Sequence, residues 1–376
     1  MKIAVITNVL SHYREGFYNR LFALEGISVR VYCQNKIPGM DLKPAHSKYP
    51  SNVKLIKSIS AKCDRLVWQF LPWREILGNY DVIFISGNPR VLSDVVFGTL
   101  LILLRRKVVL WTMAHSYGAN AVTEAVRLLW SRIFHFIFLY TDAETDYLRK
   151  KGFRKHCLVG MNNGLDQKQI DAVSLMWPAS RLQQWRATHN LEKRILVLSC
   201  ARLTKKNKFE QFVTALDTIT ISVPNILWCV IGSGTERAEL ESMVNKAGLA
   251  KHVRFVGELY VEEEMAPWFL SSEIFVHPAA IGLSLLHAFG YGLPVVTHGT
   301  PAHHNPEYTA FEPELTGRNF DEDDVQHLAR VVINLLEDAE TRFRMKQHVL
   351  RVAREKYNVD TMVERFVQIA RMAANA

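Results

Sequence analysis

The chain has 376 residues, 48% apolar and 22% charged, with a formal net charge of +9 and no low-complexity tract. That length exceeds one compact domain, so two domains are expected, and the composition is that of a folded protein, not a disordered or collagen-like one. Its longest apolar runs fall short of the roughly 18 residues that span a bilayer, so an integral membrane protein is not expected.

The opening MKIAVITNVL lacks the cleavage pattern of a secretory signal and reads as a first core strand, with His12, Tyr13 and Arg14 just beyond its end. SVRVYC, DVIFIS, KVVLWT and HFIFLYT follow, separated by longer helical patterns. Near-continuous apolar strands alternating with helices predict a parallel sheet covered on both faces. The most apolar run, VVFGTLLILL from Val95 to Leu104, stops at Arg105, Arg106 and Lys107. The segment AVTEAVRLLWSRIFHFIFLYT mixes Arg127 and Arg132 with Trp130, Phe134, Phe136 and Phe138. It reads either as a stretch lying at a membrane surface or as a core helix running into a buried strand.

Residues 1–170 carry 24 Lys and Arg against 12 Asp and Glu, a balance of +12; the remainder carries 22 against 25, a balance of −3. A basic first half suggests an anionic partner. No helix-turn-helix, zinc finger or RNP-like motif accompanies the charge, so nucleic acid is not expected, and an anionic membrane surface or a phosphorylated lipid fits a dispersed basic face at least as well. Cys33, Cys63, Cys157, Cys200 and Cys229 are scattered without a CxxC, as reduced thiols of a cytoplasmic protein would be.

A polar stretch from Gln167 to Arg194, interrupted by Pro178, marks the seam. The expected layout is a first domain at 1–170, a linker at 171–193 and a second domain at 194–359. ILVLSC, LWCVIG, VRFVG, IFVHP and LPVVTH supply the strands of the second. Two such sets in series predict two doubly wound α/β domains. A last helix from about residue 360 to 376, with Met362, Val363, Phe366, Ile369 and Ala370 at helical spacing, is free to pack back on the first domain.

Three turns of the second half carry candidate chemistry. In SCARLTKKNKFEQFV, Arg202, Lys205, Lys206 and Lys208 follow a strand end, either as a solvated basic loop or as a clamp for a diphosphate. In VIGSGTERAELESM, Gly232 and Gly234 lie between a strand and a helix, where the backbone approaches a ligand closely and helix N–H groups receive an anion. In HPAAIGLSLLHAFGYGLPVV, Gly282 precedes a short apolar helix starting near Leu283 and bearing His287. A lone histidine there is ordinarily a core residue; three anion turns in one domain favour a phosphate-bearing ligand instead. DEDD, Asp321 to Asp324, reads as a helix start and not as a metal site. No GxGxxG follows either domain's first strand, which disfavours an NAD-dependent oxidoreductase.

These segments, in this order, resemble the C-terminal half of the GT-B glycosyltransferases of family 4. ARLTKKNK, IGSGTERAEL, VRFVG and AAIGLSLLHAFGYGLPVV stand where that family has a GRLxxxKG-like loop, IxGxGxxxxxL, VxFxG and its glutamate-bearing EGFG motif. NPEYTAFEPELTGRNF is similar to its xPExxxxGxTGxLF segment. The resemblance implies two Rossmann-like domains facing across a cleft. It further implies a retaining transfer from a nucleotide-diphosphate sugar, with no cofactor and no required metal. The basic first half adds the expectation of peripheral association with a cytoplasmic membrane face and of a glycan or lipid-linked acceptor. Arg202 with Lys206 or Lys208 would meet the diphosphate. His115 in WTMAHSYG would face the donor sugar. Gly232, Gly234, Gly257, Gly282, Leu283, His287 and Glu307 would bind the donor, and His12, Tyr13 and Arg14 would lie on the acceptor side. The family's two glutamates fall on Ala279 and His287, and its lysine on Asn207. A neutral His287 nitrogen would accept a ribose hydroxyl as the glutamate does. Without those carboxylates, a nucleotide-sugar-binding or scaffolding protein that has lost catalysis is the alternative.

Overall fold

The computed structural model describes residues 1–35, 44–61, 66–114 and 121–376. They form two compact units, Met1–Asn163 with Val359–Ala376, and Gly164–Asn358.

The first unit contains β1 (Lys2–Ile6), β2 (Ser28–Cys33), β3 (Val53–Leu55), β4 (Ser58–Ala61), β5 (Leu66–Gln69), β6 (Val82–Ser86), β7 (Val108–Thr112), β8 (Phe136–Leu139) and β9 (Cys157–Gly160). Seven of these make a parallel sheet in the order β3-β2-β1-β6-β7-β8-β9, and β4 and β5 pair as an antiparallel hairpin. Ile3, Ala4, Val5 and Ile6 are all buried in β1, which has a parallel neighbour on either side. This is the apolar run of a sheet covered on both faces. Phe134, Phe136 and Phe138 are buried as well, so of the two readings of residues 121–141 these rings take the core one.

The C-terminal helix Val359–Ala374 completes the first unit, burying Met362, Val363, Phe366, Ile369 and Ala370. Phe366 stacks on Phe84 with ring centroids 4.1 Å apart and meets Phe17 and Phe138 edge-on. Its side chain is fully enclosed, the setting in which truncation costs about 3–5 kcal/mol.

The second unit contains β10 (Ile195–Cys200), β11 (Ile226–Ile231), β12 (Val253–Gly257), β13 (Ser272–Val276), β14 (Val295–His298) and β15 (Gly317–Phe320). They form a parallel sheet in the order β12-β11-β10-β13-β14-β15. The central strands are tied by Trp228, whose Nε1 donates to Ser199 Oγ at 2.9 Å, while Ser199 donates to the Val276 carbonyl at 2.6 Å. The chain winds outward from β10 in both directions, so the crevice beyond the carboxyl ends of β10, β11 and β13 is where such a sheet receives a ligand.

The stretch expected to be a linker, 171–193, is instead part of this unit. Helices Gln167–Leu175 and Ala179–Thr188 lie here, Ile170 and Val173 enter the core, and Trp185 meets Trp268 edge-on at 4.9 Å. Polar outer faces hid a helix pair whose inner face is apolar.

Candidate functional site

A cavity of about 680 Å³ opens at that crevice, lined by residues following β10, β11 and β13, with Asn305 from a more distant loop. Its first wall is the segment after β10. Arg202, Lys205 and Lys206 line it and are exposed. Asn207 is buried and donates from Nδ2 to the Arg202 carbonyl at 2.7 Å, closing the loop on itself. Where the family has a lysine, this chain has a backbone clamp. Lys208 adopts a left-handed conformation (φ 49°), and its Nζ ion-pairs with Asp323 at 2.6 Å and reaches Glu322 at 3.5 Å. It is not among the residues lining the cavity, and its ion pairs tie this loop to the turn before helix Val325–Glu337.

The second wall depends on two glycines. Gly232 (φ 134°) and Gly234 (φ 159°) lie against the first loop; a β-carbon would fall 2.0 Å from the Ala201 carbonyl oxygen and 2.2 Å from that of Leu203. The loops are laced by Leu203 N–H to Ser233 O and Glu236 N–H to Leu203 O. Neither glycine lines the cavity; Thr235 and Glu236, which they position, do. Gly257 accepts the Gly232 N–H through its carbonyl at 2.7 Å, a bracing contact one strand further out.

The third wall runs from His277 to Ser284. Ala280 has a positive φ of 45°, unusual for a residue with a β-carbon. Asn305 holds it there, donating from Nδ2 to the Ala280 carbonyl at 2.7 Å while its own N–H reaches the Ile281 carbonyl at 3.0 Å. Gly282 follows as the N-cap of helix Leu283–Gly290, with no side-chain cap. The Leu283 and Ser284 N–H groups, at the first two helical positions, therefore have no carbonyl within their own turn and are available to an anion beside the cavity.

A histidine lines the cavity, with two more close to it. His277 is buried and lines the cavity; burial first, then neighbouring His304, lower its pKa to about 3. His304 is lowered to about 4 by burial and by His298, on which its ring stacks at 3.9 Å. His304 Nδ1 accepts the Ile281 N–H at 3.2 Å, so the neutral form is what the third wall requires. The cavity thus has the imidazole of His277, kept neutral by burial, in its lining, with Arg202, Lys205, Lys206 and Glu236 along its sides.

His287 is placed otherwise than expected. Its Nε2 lies 2.8 Å from Glu262 Oε1, which also accepts the Tyr291 hydroxyl at 2.6 Å. Burial opposes the imidazolium, but Glu262, together with the Cys200 thiol, outweighs it and raises the pKa to about 10. Burial likewise opposes the Glu262 carboxylate, and His287 and Tyr291 hold it below the usual range. A neutral, hydrogen-bond-accepting His287 is therefore corrected to an imidazolium in an ion pair, outside the cavity lining.

Ala279 is buried. Leu283 packs on the core, and Glu307 is buried in the turn Pro306–Ala310 without lining the cavity. His12, Tyr13 and Arg14 form a short 3-10 turn after β1 in the first unit, with the Arg14 guanidinium 5.1 Å from the Trp111 ring and 5.3 Å from Tyr140. His115 lies outside the described residues. Asp324 caps helix Val325–Glu337 by accepting the His327 N–H at 2.8 Å, as its position before the helix foretold. Asp321 approaches the same histidine at 3.0 Å, and the ligand atoms of Asp321, Asp324 and His327 lie within 4.8 Å of one another. His277 and Asn305 escaped sequence reasoning. Asn305 stands beside the xPE segment, but nothing local reveals that its amide fixes a loop some 25 residues away.

Residues 182–351 match the family described as glycosyl transferases group 1. An alpha-D-kanosaminyltransferase of Streptomyces kanamyceticus is 24% identical over 244 residues, 62% of this chain and 60% of its own length. A GDP-mannose-dependent alpha-(1-6)-phosphatidylinositol monomannoside mannosyltransferase of Mycobacterium tuberculosis is 26% identical over 178 residues, 45% of each chain. The matched segments thus span less than two thirds of these relatives. Among solved structures, Anabaena Alr3699/HepE in complex with UDP aligns with a TM-score of 0.71 at 15% identity, covering 98% of this chain and 99% of that one. The pneumococcal O-GlcNAc transferase GtfA, solved with UDP and GlcNAc, aligns with a TM-score of 0.66 at 11% identity, covering 100% and 99%. At these identities the likeness concerns the fold.

Proposed function

We propose that this chain, whose residues 182–351 match the glycosyl transferases group 1 and whose fold is that of GT-B glycosyltransferases, transfers a sugar from a nucleotide-diphosphate donor to a glycan or lipid-linked acceptor. The observation that carries the proposal is the cavity beyond β10, β11 and β13, where Arg202, Lys205, Lys206 and the open N–H groups of helix Leu283–Gly290 lie together. The leaving group of such a reaction is a nucleoside diphosphate. Stabilising the charge that builds on it is the main catalytic task, and fixed cations and N–H groups do this without reorganising. The proposed reaction uses the donor alone, without a metal or other cofactor.

The transfer is proposed to retain the anomeric configuration. Retention is carried over from the resemblance to the family 4 glycosyltransferases. With Ala279 at the position of the family's first glutamate, no carboxylate is on hand there to form a glycosyl-enzyme, and a retaining course would need departure and attack on the same face. The first-formed product's anomeric configuration, read by proton NMR, tests this; an inverted product would refute it. The +12 balance of residues 1–170 supports peripheral attachment to an anionic membrane surface and an acceptor presented there.

The experiment is donor turnover, measured as released UDP or GDP across a panel of nucleotide sugars. Arg202→Ala is expected to lower turnover about 10²–10³-fold, the scale for removing one charge-stabilising donor. Ala279 and the ion-paired His287 favour one alternative, a donor-binding protein that does not turn over. Thermal stabilisation by a nucleotide sugar, with no diphosphate released with any acceptor, would establish that alternative.

A further inference from the structure

We infer that the face of the first unit built from helix Leu92–Leu103, helix Ala121–Ser131 and the β4–β5 hairpin docks on an anionic lipid bilayer; the inference rests on the membrane-peripheral reading above and names its surface. Helix Leu92–Leu103 buries Phe97, Gly98 and Leu101. Its opposite side carries Leu92, Val96, Leu100 and Leu103, all exposed, the last at 75%. Spacings of four, four and three residues put these on one stripe about 80° wide. A soluble helix shows polar residues there; a helix apolar all round belongs in a core or against lipid.

The stripe continues onto both neighbours. Trp130 of the next helix donates from Nε1 to Thr99 Oγ1 at 3.4 Å, beside the stripe. That helix turns out Val126 and Leu129, the latter 70% exposed, and Ile133 follows. On the other flank, the Gln69 N–H donates to Ser93 Oγ and the Val67 N–H to the Arg90 carbonyl, each at 2.9 Å. These bonds fix β5 against the helix start, and the hairpin presents Trp68 and Phe70, with Ile59 paired across from Trp68. An apolar face assembled from three elements marks an interaction surface.

Its charge identifies the occupant. From Val82 to Ser131 the acids are Asp94, fully buried, and Glu124, half-buried and accepting the Tyr147 hydroxyl at 2.6 Å, whereas Arg90, Arg105, Arg106 and Lys107 bracket the apolar helix. Arg132 is exposed beside Ile133. Nearby, the Arg74 guanidinium lies 5.2 Å over the exposed Trp73 ring. Aliphatic side chains between cations, with indoles at the margin, suit an anionic headgroup layer over acyl chains. A second copy of this chain would bring the same cations face to face in an isologous contact.

The test sediments the full chain with phosphatidylcholine vesicles containing about 30% phosphatidylglycerol, with pure phosphatidylcholine as control. Binding to the anionic vesicles is expected, falling at least about tenfold between low and high salt. The double variant Leu103→Glu/Leu129→Glu should lose about tenfold or more at low salt, with circular dichroism unchanged. Failure of the parent to bind anionic vesicles, equal binding by the double variant, or a parent dimer that the variant dissolves would each overturn the docking surface. Donor turnover without vesicles separates the two readings. Active enzyme that ignores vesicles refutes the surface alone, and inactive protein that binds them as expected refutes the transferase alone.

Discussion

His287 and Glu262 show how one substitution rearranges the charges around it. On helix Leu283–Gly290, position 287 holds an imidazole that burial alone would keep neutral; the adjacent carboxylate reverses that. An imidazole whose pKa rises on folding, from its ordinary 6.5 to about 10, stabilises the fold fully below pH 6.5 and loses that contribution as pH climbs through 10. Glu262, held low, contributes above the carboxylate range and loses its share in acid. Thermal midpoints of the parent should therefore fall more steeply between pH 6.5 and 10 than those of His287→Gln. Parallel curves would remove the ion pair from the account. Lys208 supplies a second prediction at this scale. Because its ammonium is bound to Asp323, Lys208→Ala should leave donor turnover within about tenfold of the parent, unlike Arg202→Ala. A loss matching that of Arg202→Ala would return Lys208 to the diphosphate.

Between residue and fold lies the pair of loops after β10 and β11, whose closeness depends on Gly232. A methyl group there would collide with the Ala201 carbonyl at 2.0 Å, in a backbone conformation that side chains rarely adopt. Gly232→Ala should cost about 2–3 kcal/mol in urea unfolding and weaken nucleotide binding by displacing Arg202. Gly248→Ala, also at positive φ but with open space around the added carbon, should cost only about 1 kcal/mol and spare binding. Equal losses would make the effect one of backbone conformation and not of loop contact. The sequence discloses this architecture unevenly. ILVLSC and VRFVG coincide with β10 and β12 because their runs are apolar and bounded by turn residues. GRNF of β15 and VKL of β3 carry too few apolar residues to stand out, and both strands lie at sheet edges. In the candidate site, the glycine turns and the placement of Arg202 after β10 follow from local sequence, and Arg202 and Gly282 line the cavity. The ion pairs of Lys208 and His287 were not legible, because their partners lie 115 and 25 residues away.

For the molecule as a whole, the division into units does not follow chain order, since Val359–Ala376 belongs with the first 163 residues. Ending the chain at Asn358 would strip Phe366 from Phe84, Phe17 and Phe138 and open the first core. Hydrogen exchange of that truncated chain should show protection lost in β1, β6, β7 and β8 and kept in β10 to β15. Protection retained in both sheets would make the helix dispensable. The same helix also sets a timetable. A ribosome releases β1 to β9 while Phe366 is still unmade, so their aromatic face waits, uncovered, through the synthesis of about two hundred further residues. The second unit, continuous in sequence, can close during that interval. The part begun first is therefore finished last, and the nascent protein must pass through a stage with one core sealed and the other bare.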